Sequence, residues 1–255
     1  MKRFKHSGTH GDIIYSLAVV KHLGGGEFYL HLNQIDWIVQ HYYGGQPLPF
    51  HRGRMTEEDY LQLREFMLAQ PYITCFEPFT ADKEITHNLD RFRPLFVNHP
   101  GNYVDMFSGL FNIEPKTQKI LRDTPWLTVK RARRIENRSV IINRTPRWQS
   151  PGARASWDQI KQQGAEDHSV FIGLEEEYHS FCSEMAWRIP YEHTENINHM
   201  AEIIAGADQF IGNQSLALSL AIGLGIEYAC EARADLPLVR NECYFPDHPR
   251  GDYFQ

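Results

Sequence analysis

The sequence predicts an α/β fold of two Rossmann-like domains that face each other across a cleft. Three observations support this prediction. Short apolar runs alternate with apolar residues at helical spacing along the 255 residues of the chain. The chain opens on a strand, a glycine turn and a helix, which is the start of a βαβ unit. The second half contains continuous apolar strands, which are typical of a parallel sheet covered on both faces.

The first half of the chain alternates strands and helices. A strand over Arg3 to His6 precedes apolar residues at helical spacing from Ile13 to Leu23, and three glycines, Gly24 to Gly26, end that helix. A strand over Glu27 to Leu32 completes a right-handed βαβ unit. The later predicted elements are a helix that opens with a capping-box-like start at Thr56 to Asp59 and continues to Pro71, a strand over Tyr72 to Phe76, and a helix over Tyr103 to Phe111.

The periodicity changes between Thr117 and Arg138, where a Pro-Trp-Leu stretch and a basic run interrupt it. We therefore predict a first domain over residues 1–125 and a second over 126–255. In the second domain the pattern predicts strands over Ser139 to Asn143, Ser169 to Gly173, Gln209 to Gly212 and Glu227 to Cys230, and helices near Trp157, over Ile197 to Ala205 and over Ser215 to Gly223.

Composition excludes several classes of protein. The net charge of −6 argues against a protein that binds nucleic acid through its overall charge. The four cysteines are far apart and form no C-x-x-C pair, which argues against a zinc ribbon or disulfide scaffold and fits a reducing cytoplasm. No dedicated metal site is predicted from the scattered histidines. The N-terminus does not match a signal peptide, and no apolar run is long enough to span a bilayer, so we expect a soluble cytoplasmic protein.

Four loops that follow predicted strands are candidates for a ligand site, and the first is Thr9 to Asp12. Gly8 and Gly11 carry no Cβ, so a ligand can approach the backbone closely. The helix N-terminus favours an ionised Asp12, which could accept a proton at the floor of a cleft. The alternative is that Asp12 only stabilises the start of the helix.

The second loop follows the strand that ends at Asn143 and contains Arg144 and Arg147. Arginines in this position can bind a phosphate or diphosphate with forked hydrogen bonds. Residues 130–154 hold eight Lys or Arg against a single acidic residue, Glu136, which favours an anionic ligand in an otherwise acidic chain. The alternative is a solvated basic loop.

The third and fourth loops offer a carboxylate and a helix N-terminus. In Gly173 to Glu177 a carboxylate could accept hydrogen bonds from ribose hydroxyls, although an acidic run is also typical of a solvated helix start. In the fourth loop the backbone N–H groups and Ser215 could bind a phosphate, or Asn213 or Ser215 could act as an ordinary N-cap. This fourth loop consists of Gly212, Asn213, Gln214 and Ser215.

The motifs resemble those of the heptosyltransferase-like glycosyltransferases, which have the two-domain B-type (GT-B) fold. The opening Gly11 to Leu17 resembles the family's N-terminal motif, whose Asp is taken as the catalytic base. Ala205 to Ser215, with Leu220-Ala221 after it, resembles the C-terminal motif, and Phe171 to Gly173 with Glu177 resembles the nucleotide-ribose contact. The family usually has Asp at the position of Gln214 and a His nearby, which this chain lacks.

The resemblance implies transfer of a sugar from a nucleotide diphosphate sugar to a hydroxyl acceptor. Asp12 is the implied base, the first domain takes the acceptor and the second the donor. We expect no metal or other cofactor because no metal motif is evident, and we expect inversion because there is a single base and no evident nucleophile. The expected donor-binding residues are Gly11, Arg144, Arg147, Gly173, Glu177, Gly212, Asn213, Gln214 and Ser215. The acceptor is a glycan or a modified nucleic-acid base, and the aromatic residues available to it include Trp37, Tyr42, Tyr43 and Phe92.

Other functions remain open at this stage. A nucleotide-sugar epimerase or hydrolase could use the same fold. A binding protein that has lost catalysis would fit the departure at Gln214. A glycosyltransferase acting on DNA bases would use the basic segment 130–154 for phosphate contacts.

Overall fold

A computed structural model describes residues 1–34, 55–92, 102–232, 245 and 248–254. The chain divides into two compact units, Met1–Thr128 and Val129–Gln255. Each unit contains one sheet whose described strands pair in parallel, with helices between most strands that follow one another in the chain. The predicted α/β class with Rossmann-like parallel sheets is confirmed. The cleft between two facing domains stays a prediction.

The first unit contains a four-stranded sheet in the order β3-β2-β1-β4. Strands β1, β2 and β3 and helices α1, α2 and α3 confirm predicted elements within a few residues. The described elements are β1 (Arg3–His6), α1 (His10–His22), β2 (Gly26–Leu30), α2 (Glu57–Leu68), β3 (Ile73–Pro78), β4 (His87–Asn88), a 3₁₀ turn (Leu89–Phe92), α3 (Tyr103–Leu110) and α4 (Pro115–Asp123).

The first βαβ unit forms because α1 is apolar on most of its surface and ends at glycines. The middle of α1 is buried from Asp12 to Val20, and β1 pairs in parallel with β2, where buried Phe4 lies opposite Phe28. After the helix, Gly25 and Gly26 adopt φ angles of +70° and +151°. A Cβ at Gly25 would overlap the carbonyl of Tyr72, so the chain can turn into β2 only with glycine here.

The second unit contains a six-stranded sheet in the order β10-β9-β8-β5-β6-β7. Its strands β5, β6, β8 and β9 and its helices α5, α8 and α9 confirm predicted elements. The described elements are β5 (Val140–Asn143), a 3₁₀ turn (Pro146–Trp148), α5 (Arg154–Gln162), α6 (Ala165–His168), β6 (Ser169–Ile172), α7 (Glu175–Met185), β7 (Tyr191–Glu192), α8 (Ile197–Ala205), β8 (Gln209–Asn213), α9 (Leu216–Leu224), β9 (Glu227–Glu231) and β10 (Gly251–Phe254).

The parallel pairing brings the carboxyl ends of four strands to one edge of this second sheet. Asn143 of β5 lies opposite Gly212 of β8, and Asn213 lies opposite Glu231 of β9. On the other side of β5, Ile142 lies opposite Phe171 of β6. The loops after these strands therefore start side by side, which is where ligands bind in open α/β sheets.

An aromatic core packs under this sheet. Trp157 of α5 is fully buried and makes edge-to-face contacts with Phe181 and Trp187, at centroid distances of 5.0 and 5.8 Å. Phe171 of β6 packs against Phe181 at 5.5 Å. Aromatic pairs in these geometries add to the stabilisation from burial. The cluster also contains Ile142 of β5 and Ile211 of β8, so it stabilises the helices against the sheet.

Some elements differ from the sequence prediction. Helix α4 lies where only a change of pattern is predicted. Apart from Pro115, its apolar residues are Ile120 and Leu121, which are adjacent and therefore show no helical spacing. Helix α7 begins at Glu175, so the acidic run after β6 is a helix start, one of the two interpretations considered for it. Strands β4 and β7 have two residues each and are too short to stand out in the sequence. Strand β10 begins with Gly-Asp and has no continuous apolar run.

Three of the aromatic residues considered for an acceptor, Trp37, Tyr42 and Tyr43, lie outside the described residues, as does Cys243. Phe92 is buried in the first unit, where it packs against Phe107 at a centroid distance of 4.5 Å. Within the described ranges, no helix is long and apolar enough to cross a bilayer.

Candidate functional site

The turn between β1 and α1 is held by a carboxylate that follows the neighbouring strand. The backbone N–H and the hydroxyl of Ser7 both donate to Asp90 Oδ1 at 2.7 Å. Lys5 Nζ lies 3.3 Å from Asp90 Oδ2. Asp90 follows β4, which pairs in parallel with β1. The turn that leads to Asp12 is thus fixed by an ion pair and two hydrogen bonds.

Asp12 occupies the third position of α1, directly after this turn. The residue is buried, with 6% of its surface exposed, and its Oδ2 accepts a hydrogen bond from the Thr9 N–H at 3.0 Å. This bond is one half of a capping box, which stabilises a helix start. Helix capping by Asp12 therefore rests on a direct contact, and the general-base role stays a prediction.

The two glycines beside Asp12 have different surroundings. A Cβ at Gly8 would overlap His6 Cε1 and lie 2.6 Å from Asp12 Oδ2, so Gly8 allows His6 and Asp12 to pack together. At Gly11, a Cβ would have no atom of the described residues within 4 Å. Among the described residues, the backbone is therefore open at Gly11 and closely packed at Gly8, and the approach of a ligand to this turn stays a prediction.

In the second unit, Asn213 links the ends of β8 and β5. Its Nδ2 donates to the Thr145 carbonyl at 2.7 Å, and its Oδ1 accepts from the Thr145 N–H at 2.9 Å. Asn213 is fully buried. The side chain thus binds both backbone groups of one residue, as a neighbouring strand would. Contact of Asn213 with a donor remains a prediction, and these bonds already give it a role in holding the loop after β5.

Arg144, directly after β5, is part of a buried ion-pair network. Its Nε and Nη2 donate to the two carboxylate oxygens of Glu231 at 2.6 and 3.1 Å, and its Nη1 donates to Glu184 at 2.9 Å. The Arg144 side chain is 3% exposed and that of Glu231 is fully buried. In the structure, Glu231 and Glu184 occupy the guanidinium of Arg144. Direct contact of Arg144 with a diphosphate stays a prediction.

Glu231 accepts two further hydrogen bonds in this network. The Ser150 N–H donates to its Oε1 at 2.6 Å, and Trp157 Nε1 donates to its Oε2 at 2.8 Å. With the two bonds from Arg144, each carboxylate oxygen accepts two donors. A buried carboxylate is tolerated because its charge is paired and its acceptor positions are filled.

Arg147 is surrounded differently from Arg144. Its guanidinium lies over the ring of Trp148, with the Cζ 4.7 Å from the ring centroid, a cation–π arrangement. Both side chains are partly exposed. Among the described residues, no carboxylate forms an ion pair with Arg147, in contrast to the two that bind Arg144. Arg147 is therefore the arginine of this loop that is better placed to take an anion.

Gly173, at the end of β6, lies between two of the polar side chains. A Cβ there would lie 2.6 Å from Asn143 Nδ2 and 2.8 Å from Glu177 Oε2, and the φ angle of Gly173 is +129°. Asn143 Nδ2 donates to the Ile172 carbonyl at 2.9 Å, and Tyr191 Oη donates to the Gly173 carbonyl at 2.8 Å. Glycine is required at this position by its φ angle and by its neighbours.

The Glu177 carboxylate accepts a hydrogen bond from the Leu174 N–H at 3.1 Å through Oε2. Burial raises the pKa of this carboxyl group above its ordinary value, and the hydrogen bond from Leu174 only partly opposes the shift. A raised folded-state pKa means that folding favours the protonated form. This contribution to stability is present below the ordinary pKa of 4.5 and is lost as the pH rises through the raised value.

We expect Glu177→Gln to raise the melting temperature at pH 7, because the variant avoids burying a charge and its amide oxygen can still accept from Leu174. The difference should shrink as the pH falls below the ordinary glutamate pKa. Melting curves between pH 4 and pH 8 measure it, with Glu176→Gln, an exposed residue of the same helical turn, as the control for lost helix-start charge. A Glu177→Gln variant that is less stable than the wild type at pH 7 would contradict the expectation.

The turn after β8 packs closely against the end of β5. A Cβ at Gly212 would overlap the backbone carbonyl of Asn143, so the two strand ends meet at van der Waals distance. Ser215 is the N-cap of α9, and its Oγ accepts from the Leu218 N–H at 3.2 Å. The capping role considered for Ser215 is thus observed, while phosphate binding by Gln214 and this turn remains a prediction.

The second unit therefore brings its predicted donor-binding residues to one sheet edge. Asn143 contacts Gly173 and Gly212, Asn213 contacts Thr145, and the loop between Thr145 and Ser150 carries Arg147. Two residues that sequence analysis missed, Glu231 and Asp90, hold the loops of this edge and of the β1 turn. Glu231 directly follows the predicted strand Glu227 to Cys230, which is the same signal that predicted the four loops. Asp90 follows β4, a strand of two residues that the sequence does not reveal.

The basic segment 130–154 has residues on both sides of β5. Before this strand, Arg134 pairs with Asp208 at 2.9 Å, and Arg133 lies 3.5 Å from Glu192, the last residue of β7. Arg144 and Arg147 follow the strand.

Within the part of the chain that the structure describes, no group of three or more His, Cys, Asp and Glu side chains is placed to hold a metal ion. A reaction without a metal stays a prediction.

Comparison with known proteins finds similarity of structure alone. No protein-family model and no curated protein matches the chain. A glycosyl transferase family 9 structure from Veillonella parvula DSM 2008 matches with a TM-score of 0.61 and 11% identity, over 99% of this chain and 86% of that one. The dodecameric iron-containing heptosyltransferase TibC, in complex with ADP-D-beta-D-heptose, matches at 0.54 and 14%, over 99% of this chain and 62% of that one.

A further structure, the E. coli heptosyltransferase WaaC with ADP, matches with a TM-score of 0.50 and 11% identity, over 99% of this chain and 92% of that one. None of these comparisons favours a nucleic-acid base as an acceptor. At identities this low, the structural matches establish the fold and do not establish the activity. The chain has the fold of these glycosyltransferases.

Proposed function

We propose that the protein is a glycosyltransferase that moves a sugar from a nucleotide diphosphate sugar to a hydroxyl group of a glycan acceptor. The second unit binds the donor, and the first unit binds the acceptor. One observation carries the proposal: a glycine turn, a helix start, a partly buried carboxylate and an arginine loop share one sheet edge in the second unit. Groups of these kinds bind the phosphates and the ribose of nucleotides in α/β proteins.

In this proposal the diphosphate binds to Arg147 and to the turn from Gly212 to Ser215 at the start of α9. The guanidinium and the helix N-terminus neutralise the charge that develops on the departing diphosphate. Arg144 supports the same loop through Glu231. Gly173 gives the donor access to the backbone beside Glu177, whose carboxylate accepts hydrogen bonds from the ribose hydroxyls.

On the acceptor side, Asp12 takes the proton of the attacking hydroxyl. The acceptor oxygen forms a bond to the anomeric carbon while the bond from that carbon to the diphosphate oxygen breaks. The nucleoside diphosphate leaves, and the proton stays on Asp12 until solvent removes it. A single base and direct displacement invert the anomeric centre. Gly11, whose backbone is open to close approach, lets the substrates come within reach of the carboxylate.

An adenine nucleotide is the first donor to test, because two of the similar solved structures hold ADP-D-beta-D-heptose or ADP. Melting temperatures measured with ADP, ADP-heptose, UDP, GDP and their common sugars compare donors directly, since a ligand at 100 times its Kd stabilises by about 2.7 kcal/mol. We expect one nucleotide series to raise the melting temperature and the others to leave it unchanged. If no nucleotide in the panel raises it, the proposal fails.

Arg147→Ala is expected to weaken binding of the stabilising nucleotide about tenfold or more, because a charge-assisted hydrogen bond to a phosphate is lost. Arg134→Ala is the matched control: this arginine belongs to the same basic segment but pairs with Asp208 near the opposite end of the sheet. Calorimetric titration measures both. Equal loss in the two variants would indicate a general charge effect and contradict a site at Arg147.

A binding protein without transferase activity is the second candidate. It is favoured by Gln214, which provides an amide where the family that the sequence resembles has a carboxylate. Incubation with the stabilising nucleotide sugar and a set of glycan acceptors separates the two functions. Release of the nucleoside diphosphate only when an acceptor is present supports transfer, whereas binding without release supports the second candidate.

A further inference from the structure

A single carboxylate contacts both ends of the loop after β5. Glu231 Oε1 accepts from Arg144 Nη2 at 3.1 Å at the start of this loop and from the Ser150 N–H at 2.6 Å at its end. Both contacts bridge more than 80 positions of sequence, since Glu231 lies at the end of β9. One buried side chain thus sets the distance between the two ends of the loop.

A second contact fixes the loop just inside its first end. Asn213 binds both backbone groups of Thr145, at 2.7 and 2.9 Å. The next residue, Pro146, begins the 3₁₀ turn that carries Arg147 and Trp148. Proline has a fixed φ angle, so anchoring Thr145 also constrains the direction in which the turn leaves the strand.

The segment between the anchors carries the arginine that is better placed for an anion. Arg147 lies against Trp148, and no described carboxylate binds it. The anchors themselves are fully buried, and so is Trp157, which donates to Glu231 at 2.8 Å. Buried contacts that hold a loop in place before a ligand binds reduce the conformational entropy that the loop loses on binding.

We propose that Glu231 and Asn213 are positioning residues that hold the loop from Arg144 to Ser150 in the conformation in which Arg147 binds the donor's diphosphate. The inference rests on the proposed function, since it needs a diphosphate at this loop. Glu231 and Asn213 act through the loop backbone and Arg144. The preformed loop makes the affinity for a nucleoside diphosphate depend on two side chains, those of Glu231 and Asn213, that do not touch it.

A double-mutant cycle with ADP as the ligand tests this inference, or with UDP or GDP if that series stabilises the protein. Calorimetry gives the Kd for the wild type, Glu231→Gln, Arg147→Ala and the double variant. We expect Glu231→Gln to weaken binding about fivefold to tenfold in the wild type and less than twofold in the Arg147→Ala background. A loss that depends on Arg147 shows positioning, since general destabilisation of the fold would act in both backgrounds.

Glu184→Gln is the matched control. Glu184 also binds Arg144, at 2.9 Å, but it does not contact Ser150, and its side chain is 45% exposed. We expect its Kd to equal that of the wild type. Asn213→Asp tests the second anchor, since it keeps the acceptor for the Thr145 N–H and loses the donor to the Thr145 carbonyl. It serves as the main variant should Glu231→Gln not fold.

The outcomes separate the inference from the function on which it rests. If the wild type binds none of the three diphosphates, the proposed function fails. If it binds one and the effects of Glu231→Gln and Arg147→Ala multiply, or if Glu231→Gln binds like the wild type, the positioning inference is wrong and the proposed function stands. A kcat that is nearly unchanged for Glu231→Gln while the donor KM rises would support positioning in the ground state.

Discussion

Asp12→Asn is expected to lower turnover by about 10²- to 10⁴-fold, the usual contribution of a general base, while nucleotide affinity stays unchanged. The asparagine oxygen can still accept from the Thr9 N–H, the contact that Asp12 Oδ2 makes at 3.0 Å. Loss of the charge at the helix start should cost about 0.3–1 kcal/mol of stability. Initial rates at saturating donor, together with calorimetric titration of the nucleotide, measure the two effects.

The chain offers a control for the capping role of Asp12. Asp59 occupies the same third position in α2 and accepts from the Thr56 N–H at 2.8 Å. Asp59→Asn should therefore lose a similar amount of stability, and it should keep turnover within a few-fold of the wild type. If Asp12→Asn and Asp59→Asn retain equal turnover, Asp12 serves only as a helix cap, and the base must be sought elsewhere.

Glu231→Ala is expected to destabilise the protein by about 3–5 kcal/mol, because it leaves the buried guanidinium of Arg144 without its closest carboxylate. The variant also removes the acceptor for Ser150 and Trp157. Adding Arg144→Met to Glu231→Ala should cost little more or restore part of the loss, since the charge that has lost its main partner is then gone. Urea unfolding followed by circular dichroism measures these free energies.

Burial, and not the length of the ion pair, causes this large effect. The Arg134–Asp208 pair has a similar length, 2.9 Å, but its side chains are 63% and 61% exposed. Asp208→Ala should consequently change the unfolding free energy by no more than about 1 kcal/mol. Losses of equal size at Glu231 and Asp208, or additive losses at Glu231 and Arg144, would argue against a tightly coupled buried network.

The two units stabilise their first loop in the same manner. In the first unit, Asp90 follows β4 and binds the backbone of Ser7 in the loop after β1. In the second unit, Asn213 is the last residue of β8 and binds the backbone of Thr145 in the loop after β5. In both, a polar side chain at the end of an adjacent parallel strand holds the loop that bears the proposed functional residue. This arrangement gives each unit a fixed loop at the edge where α/β sheets bind ligands.

Much of the fold is predictable from local patterns. Val140–Asn143 is a continuous apolar strand, and Ile197–Ala205 carries apolar residues at helical spacing, so both elements appear where the pattern places them. Helix α4 is not predicted because its two large apolar residues, Ile120 and Leu121, are adjacent and show no helical spacing. Strand β4 is only a dipeptide, too short for any periodicity, and with it the role of Asp90 is hidden.

The candidate site is predictable only in part. The glycine turns, Ser215 at the start of α9 and the acidic run after β6 can be identified because each depends on a few neighbouring residues. The difference between Arg144 and Arg147 cannot, since both arginines follow the same strand and have the same chemistry. It depends on Glu231, which lies 87 positions from Arg144.

The sequence by itself therefore determines the class of fold and the loops that can carry chemistry, because strand and helix periodicity and turn residues are local properties. Only the tertiary structure decides what the polar side chains of those loops do. Parallel pairing of β5, β8 and β9 brings Arg144, Asn213 and Glu231 together. These three side chains are buried, and their contacts with one another and with the backbone hold the loop after β5. Arg147 lies on the same loop and is partly exposed.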